Sequence, residues 1–405
     1  MRFINRLIQN RVNEILSRGK SILLLGPRQT GKTTLLTHQI KADLAYSFIE
    51  ADVRRRHELN PEILTAEIKA HLQLHKMHHT PIVLIDEIQK IPAIMDTIQD
   101  AIDKKLAIFV LTGSSARKLK RHKENKNINL LPGRVIELRL DALSLLEMLD
   151  ALPTIDELIL NGSLPEIVQQ KTSQHREELL ISYVNIYLEE EIRAEAIVRN
   201  QPSFSRFLSY ASIEAGKEIN VNKLSQEIGV SRHTINEYYQ ILLDCLIVDR
   251  IEPITNLTTR RRLTKSPKYL FFDMGIRRVA AGEGLRLPEK YYGELFEQFI
   301  GVEILKLIRL FAPQAKLKFW RDHAGPEVDY VIEYNRRYIP IEVKWTTAPS
   351  AADARHLVKF MSEYDCIKPA LIICRTPKAM LLHENILAIG WEMMPALLRD
   401  LLLTS

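Results

Sequence analysis

The stretch from Ser21 to Thr34, SILLLGPRQTGKTT, constrains this chain more than any other. The apolar run Ile22-Leu23-Leu24-Leu25 predicts a buried strand. It leads into Gly26-Pro27-Arg28-Gln29-Thr30-Gly31-Lys32-Thr33, the pattern G-x-x-x-x-G-K-[ST], ahead of a helix-prone stretch. Gly26 and Gly31 let the backbone curl so that successive N–H groups point at phosphates. Lys32 adds a point charge near the β- and γ-phosphates, and the Thr33 hydroxyl is the expected Mg²⁺ ligand. The positive end of the following helix faces the same phosphates. Residues Gly26 to Thr34 are therefore the candidate nucleotide-binding set, with ATP and Mg²⁺ as the expected cofactors.

A chain of 405 residues is too long for one ordinary core, so two to four domains are expected. Hydrophobic content of 46% with 26% charged residues describes a soluble globular protein. No apolar run reaches the roughly 18 residues needed to span a bilayer, so no membrane role is expected. The N-terminal MRFINRLIQNRVNEIL reads as an amphipathic helix over 4–16, not a signal peptide. Cys245, Cys366 and Cys374 stand singly in apolar surroundings, as buried thiols of a reducing cytoplasm do. The net charge of +6 is mild, and its clustering says more than its size.

Further along, 33–40 reads as a helix, 45–50 as a strand and 62–77 as a helix. His71, His75 and His78 at i, i+4 and i+7 would share one helix face, either as a metal site or as a solvated helix end; no carboxylate or cysteine completes a ligand set. The run Pro81-Ile82-Val83-Leu84-Ile85-Asp86-Glu87 has the form of a buried parallel strand opening onto a ligand crevice. Asp86 is expected to hold Mg²⁺ through its water shell, and Glu87 to polarise the attacking water. A third strand over 107–112 ends in Gly113-Ser114-Ser115. Ser114 is the candidate for a polar group between the acids and the γ-phosphate, with Thr112 and Ser115 as neighbours suited to the same task. A Ser-rich turn capping a helix would look the same. The basic run Arg117–Lys126 is either a solvated loop or a surface for phosphate backbone. Arg134, at the entrance of a strand over 131–138, is either a salt-bridge arginine or an arginine finger acting on a neighbouring copy. The second role requires a homo-oligomer, with a ring as one form.

GPRQTGKTT, IVLIDEIQK, LTGSS and LPGRV, in that order, resemble the bacterial and archaeal AAA+ ATPases that carry a nuclease-like C-terminal domain. NGSLPEIV (161–168), YLEEEI (187–192) and FFDMGIRRV (271–279) fit the same family. The resemblance covers essentially the whole chain. It implies an α/β protein: an AAA+ P-loop three-layer sandwich over 1–143, a helical segment over 144–207, a winged helix over 208–285 and a terminal α/β domain over 286–405.

Within 208–285, residues 221–228 and 234–245 read as two helices joined at Gly229, with Ser231 as a cap. Arg232, His233, Thr234 and Asn236 would then face outward, where base edges or phosphates are met. Strand-like runs follow at 246–251 and 269–272. The acid-free loop between Pro253 and Phe272 crowds Arg260, Arg261, Arg262, Lys265 and Lys268, as a DNA-contacting wing would. Winged helices also serve as protein-interaction modules.

In the last domain, 293–308 is a helix apolar almost all round that nonetheless carries Glu294, Glu297 and Glu303. Asp329 opens one strand, and Glu342-Val343-Lys344 lies on the next, with Glu342 and Lys344 on one face. An Asp followed by E-x-K on a neighbouring strand resembles the PD-(D/E)XK nuclease superfamily. The resemblance implies that Asp329 and Glu342 hold Mg²⁺, that Lys344 assists, and that Glu297 is the helix-borne acid, with Glu303 as its substitute. Pro326 falls one step before the position where that family places it. Two functions are expected from these features: an ATP-driven DNA-processing enzyme, or an ATP-dependent DNA- or protein-binding switch whose nuclease-like domain does not cut.

Overall fold

A computed structural model describes residues 3–76, 78–115, 131–149, 152–188, 201–254, 266–322 and 325–404. The chain forms two compact units, one of Met1–Ala142 with Gln240–Ile247 and one of Leu143–Tyr239 with Val248–Ser405. The second unit is continuous across the borders expected at 207/208 and 285/286.

The first unit is built on five parallel strands, β1 (Ser21–Leu25), β2 (Leu44–Ser47), β3 (Ile82–Asp86), β4 (Ile108–Gly113) and β5 (Val135–Arg139), in the order β2-β3-β4-β1-β5. All five residues of β1 are buried, as an internal parallel strand covered on both faces requires. Phe48, Leu64, Ile68, Ile94, Ile98 and Phe109 pack into the core beside β3 and β4. The N-terminal helix starts later than expected, at Ile8. The helix expected over 62–77 covers only Ile63–Leu74, and Lys76 turns to φ +45° just beyond it. His78 therefore lies off the helix, and only His71 and His75 pair, with ring centroids 4.3 Å apart. The three-histidine face does not form.

The second unit carries one eight-stranded sheet, ordered β12-β13-β11-β10-β9-β8-β6-β7. Its strands are β6 (Val248–Pro253), β7 (Lys268–Phe271), β8 (Lys316–Arg321), β9 (Glu327–Tyr334), β10 (Arg337–Val343), β11 (Ala370–Cys374), β12 (Met380–His383) and β13 (Ile386–Gly390). β6 joins the two halves: it pairs antiparallel with β7 and, through Glu252 and Pro253, parallel with β8. β8, β9 and β10 follow antiparallel, and β10, β11 and β13 run parallel. The helix Arg355–Glu363 packs Leu357 and Phe360 against Trp320, Val328 and Ile372.

The segment expected to be helical over 144–207 is a series of short helices, Ile155–Asn161, Pro165–Val168 and Ser173–Ser182, before Gln201–Ile213. Thr154 starts the first with a capping box to Glu157, and Pro165 starts the second. Val221–Ile228 and Arg232–Asp244 form the expected helix pair. Gly229 takes φ +77° between them, and Ser231 Oγ accepts from Thr234 N at 3.1 Å.

The NGSLPE and FFDMG stretches meet in the interior. Asp273 is 1% exposed and accepts hydrogen bonds from Ser163 N (2.7 Å), Gly275 N (2.9 Å) and Ile276 N (3.1 Å). Burial pushes its carboxyl upward, and these N–H groups oppose the shift. Gly162 sits at φ +69°, ψ −156°, a region open almost only to glycine, and a Cβ there would lie 2.0 Å from Asp273 Oδ1. Gly162→Ala should therefore lower unfolding free energy by about 3 kcal/mol or more, combining backbone strain with overpacking. Chemical denaturation monitored by circular dichroism measures it; a loss below about 1 kcal/mol would contradict the close approach.

Candidate functional site

The phosphate loop lies between β1 and the helix Lys32–Gln39. Gly26 could not carry a side chain, because its Cβ would meet Leu140 O at 2.3 Å. Gln29 and Gly31 take φ +60° and +92°, and Thr30 Oγ1 ties the turn to Pro27 O at 2.9 Å. Arg28 is half-buried, whereas Thr33 and Thr34 are exposed. Lys32 is buried and its ammonium donates to Gly26 O (2.7 Å) and Pro27 O (2.9 Å), curled over the loop where phosphate oxygens would replace carbonyls.

The acidic pair ends β3 opposite this loop. Asp86 Oδ2 accepts from Thr33 Oγ1 at 2.9 Å, so the two expected Mg²⁺ ligands are adjacent. Thr112 Oγ1 donates to Asp86 Oδ1 and accepts from Glu87 N at 3.2 Å, fixing both acids from β4. Glu87 sits at φ +59°, outside the ordinary range for a side chain of its size. Gln89 donates to Glu87 Oε2 and to Ser114 Oγ, the latter at 3.0 Å, and so links the water-polarising candidate to the polar group expected near the γ-phosphate.

Gln89 lies inside IVLIDEIQK without a role of its own in the sequence pattern, and Thr112, an alternative to Ser114 in sequence, holds the two acids instead. Arg6 carries no sequence signal at all. It donates to Thr30 O at 2.6 Å and Asp141 O at 2.8 Å, bracing the loop from the N-terminal segment. Arg134 forks onto Asp103 at 2.7 and 2.9 Å, and that hydrogen bond holds the Asp103 carboxyl below its usual range. Within its own chain it is a salt-bridge arginine.

A second constellation forms in the C-terminal sheet. The β9–β10 ladder ends at Ile341–Tyr330, and beyond it Val343 N donates to Asp329 Oδ2 at 2.8 Å. Asp329 and Glu342 are 6% and 2% exposed, and Lys344 Nζ lies 2.6 Å from Glu342 Oε1. The helix Tyr292–Phe311 brings Glu297, which pairs with Lys268 Nζ at 3.0 Å. Burial first, then the Asp329 charge, push the Glu342 carboxyl up to about 8 and that of Glu297 up to about 7; the paired lysines oppose both shifts. Burial works against the Lys344 ammonium, but Asp329 and Glu342 outweigh it and its pKa rises.

Two expectations change here. Lys268 is not a wing residue: it is buried in β7, paired with Glu297, because the strand begins one residue earlier than its apolar run suggests. Glu303 is not an alternative to Glu297. It accepts from Leu145 N at 2.7 Å and from Lys306 at 3.3 Å, so it holds the chain at Leu143–Leu145, where Lys306 also donates to Leu143 O at 2.8 Å. Glu294 is exposed and pairs with Lys217 at 3.0 Å.

Of the candidate DNA contacts, Arg232 and His233 are exposed at the start of their helix, and His233 lies 3.4 Å from Glu237. Arg260, Arg261, Arg262, Lys265 and the basic run 117–126 lie outside the described residues. No helix among the described residues is long and apolar enough to cross a membrane.

Three family models match consecutive parts of the chain: an AAA domain over residues 18–149, a domain of unknown function (DUF8612) over 152–286 and another (DUF4143) over 292–394. Uncharacterized proteins of Mycobacterium tuberculosis and Mycobacterium bovis are each 26% identical over 343 residues, which is 84% of this chain and 74% of each relative. Among solved structures, a Signal Transduction ATPase with Numerous Domains (STAND) protein with a tetratricopeptide repeat sensor, from Pyrococcus horikoshii, aligns at 13% identity and a TM-score of 0.24. The alignment covers 76% of this chain and 47% of that one, so the chain spans about half the length of that protein. The phosphate loop and the acidic pair both fall inside the AAA match, so residues 18–149 are an AAA domain that carries the parts of an ATPase site.

Proposed function

We propose that the protein couples ATP hydrolysis in its AAA domain to the binding and cutting of DNA, with cutting carried out by the Glu297–Asp329–Glu342–Lys344 constellation. One observation carries the reading: Asp329 and Glu342, buried on two parting strands, meet Glu297 from the helix at one corner, where the Asp329 charge adds to burial in raising the proton affinity of both glutamates. Crowded buried carboxylates fit a divalent cation. Glu342 Oε2 fits it too, being buried without a hydrogen-bond partner. No preformed group of three or more His, Cys, Asp or Glu ligands occurs among the described residues, so the carboxylates would have to draw in around the ion.

Asp329 and Glu342 would hold the metal, which supplies Lewis-acid stabilisation of the phosphate and an activated water. Glu297 faces the same charge from the helix. Lys344 can release Glu342 and hold a proton or a phosphate oxygen at Nζ. In the ATPase domain Thr33 and Asp86 would hold Mg²⁺, Lys32 would leave its two carbonyls for the phosphates, and Glu87, steadied by Gln89, would orient water.

A second reading has a specific observation in its favour. Lys344 and Lys268 already pair with Glu342 and Glu297, so two of the three carboxylates have a cation without a metal, as in a domain that binds and does not cut. Incubation with linear, branched and single-stranded DNA in Mg²⁺ or Mn²⁺ separates the two: strand breaks that vanish in Asp329→Ala support cutting, and intact DNA supports binding alone.

DNA contact through the helix pair at 221–244 and the basic residues Arg260, Arg261, Arg262 and Lys265 belongs to the same proposal. Replacing Arg260, Arg261 and Arg262 together should weaken binding across all sequences. Each lost phosphate contact on duplex DNA should flatten the log–log salt dependence by about 0.9. Fluorescence anisotropy over a salt series measures both, and unchanged affinity and slope would remove the loop from the DNA surface.

A further inference from the structure

Arg375 follows β11, at the sheet edge where Lys344 follows β10. Lys344 N donates to Ile373 O and Arg375 N to Thr346 O, at 2.9 and 2.8 Å, so the two strand ends leave the sheet together. Its guanidinium lies flat on the Trp345 ring, 3.6 Å from Cζ to centroid. Trp345 is itself fixed by Tyr292 stacked at 5.2 Å and by Phe296 edge-on at 5.2 Å, both on the helix that carries Glu297.

Other buried or half-buried arginines of this unit are satisfied: Arg277 pairs with Glu283, Arg278 with Glu177 and Arg309 with Asp249. Arg375 differs. Its Nε is buried without a hydrogen-bond partner, and among the described residues its guanidinium has no carboxylate. Leaving a buried donor of a charged group unmade is costly, so such a group marks the place of an absent acceptor. Stacking on an indole fixes the plane of the fork; Nε is buried while the residue as a whole is half-buried, so the Nη end is the part of the fork that a phosphate can meet. The C-terminal ends of parallel strands are also where ligands of open α/β sheets sit.

We infer that Arg375, oriented by Trp345, binds a backbone phosphate of a nucleic-acid strand lying across the carboxylate–lysine corner. The inference rests on the DNA-processing reading and adds a substrate-positioning residue that no motif indicated. A polyanion approaching Asp329, Glu342 and Glu297 meets repulsion, and a fixed cation beside them offsets it.

The test uses the full chain with Ca²⁺ in place of Mg²⁺, labelled single-stranded and duplex oligonucleotides, and anisotropy over a salt series. Arg375→Ala should weaken binding about tenfold or more. It should also lower the salt slope by about 0.7 on single strands or about 0.9 on duplex. Arg375→Lys, which keeps the charge and loses the fork, should fall between. A wild-type thermal melt by circular dichroism shows that the unit carrying Arg375 is folded in both variants, and ATP hydrolysis at the wild-type rate shows the same for the ATPase unit. Unchanged affinity and slope in Arg375→Ala overturn the inference, as does a wild-type protein that binds neither oligonucleotide. The two claims fail separately. Wild-type protein that never cuts but loses affinity in Arg375→Ala keeps the phosphate contact and removes the nuclease. Wild-type protein that cuts while Arg375→Ala binds normally does the reverse.

Discussion

Lys32→Ala should abolish tight ATP binding, whereas Glu87→Gln should leave binding intact and stop turnover. Lys32 Nζ sits on Gly26 O and Pro27 O at 2.7 and 2.9 Å, so it is already poised over the loop. Charge-assisted contacts of this kind are worth about 1.5–3 kcal/mol each, and losing those to two phosphates costs about a hundredfold in Kd or more. Glu87 touches no part of the loop that grips phosphate. Its carboxylate is held by Gln89, and its backbone by Thr112. Removing its charge takes away only the group that polarises water, a loss of about a hundredfold to ten-thousandfold in kcat. Calorimetric titration with ATP and a phosphate-release assay read the two effects. Wild-type hydrolysis in both variants would move the ATPase chemistry away from these residues.

The second large effect belongs to the C-terminal corner. Asp329→Ala and Lys344→Ala should each abolish strand cleavage, by about a thousandfold or more, while ATP hydrolysis survives. Asp329 Oδ2 is tied to Val343 N and its charge raises both neighbouring glutamates, so its loss should remove the proposed metal ligand and relax Glu342 and Glu297 together.

The pH dependence has a definite sign. Both glutamates bind a proton more readily in the folded protein than in the unfolded chain. Between the ordinary glutamate range and about 7 to about 8, the metal-free folded state therefore holds more protons, and its stability falls as pH rises. A divalent ion must displace those protons, so its affinity climbs over the same interval. Mn²⁺ titration at pH 6 and pH 9 checks this, and equal affinity at both would exclude these carboxylates as ligands. Cleavage in purified Asp329→Ala at the wild-type rate would point to a contaminating nuclease.

What could be read from the sequence follows from how local each feature is. The phosphate loop, the acidic strand end and the helix over Val221–Ile228 are dictated by neighbours within a few residues, and their patterns are visible in a string. The helix expected over 62–77 ends at Leu74, because apolar spacing says nothing of the left-handed turn at Lys76. Glu297 and Glu303 look alike in sequence, each an acid on an apolar helix. Only tertiary contact shows that one meets Lys268 beside Asp329 and the other holds Leu145 N. Arg6, Gln89 and Arg375 meet carbonyls, a serine hydroxyl and a ring supplied from elsewhere in the fold, and their surroundings in the sequence carry no trace of that.

The place where β6 meets β8 bears on how the protein is made. When β6 and β7 leave the ribosome they form a hairpin whose Glu252–Ile254 end has nothing beside it. Its neighbour, Lys316–Arg321, is translated only after the long helix Tyr292–Phe311, and Ile254 N then finds Phe319 O at 2.8 Å. A chain released near residue 286, between the two matched regions of unknown function, would keep that strand edge open to other nascent chains. The seam between those regions is thus an unsafe place to stop synthesis, and the second unit completes its fold only when the strands from β8 onward arrive.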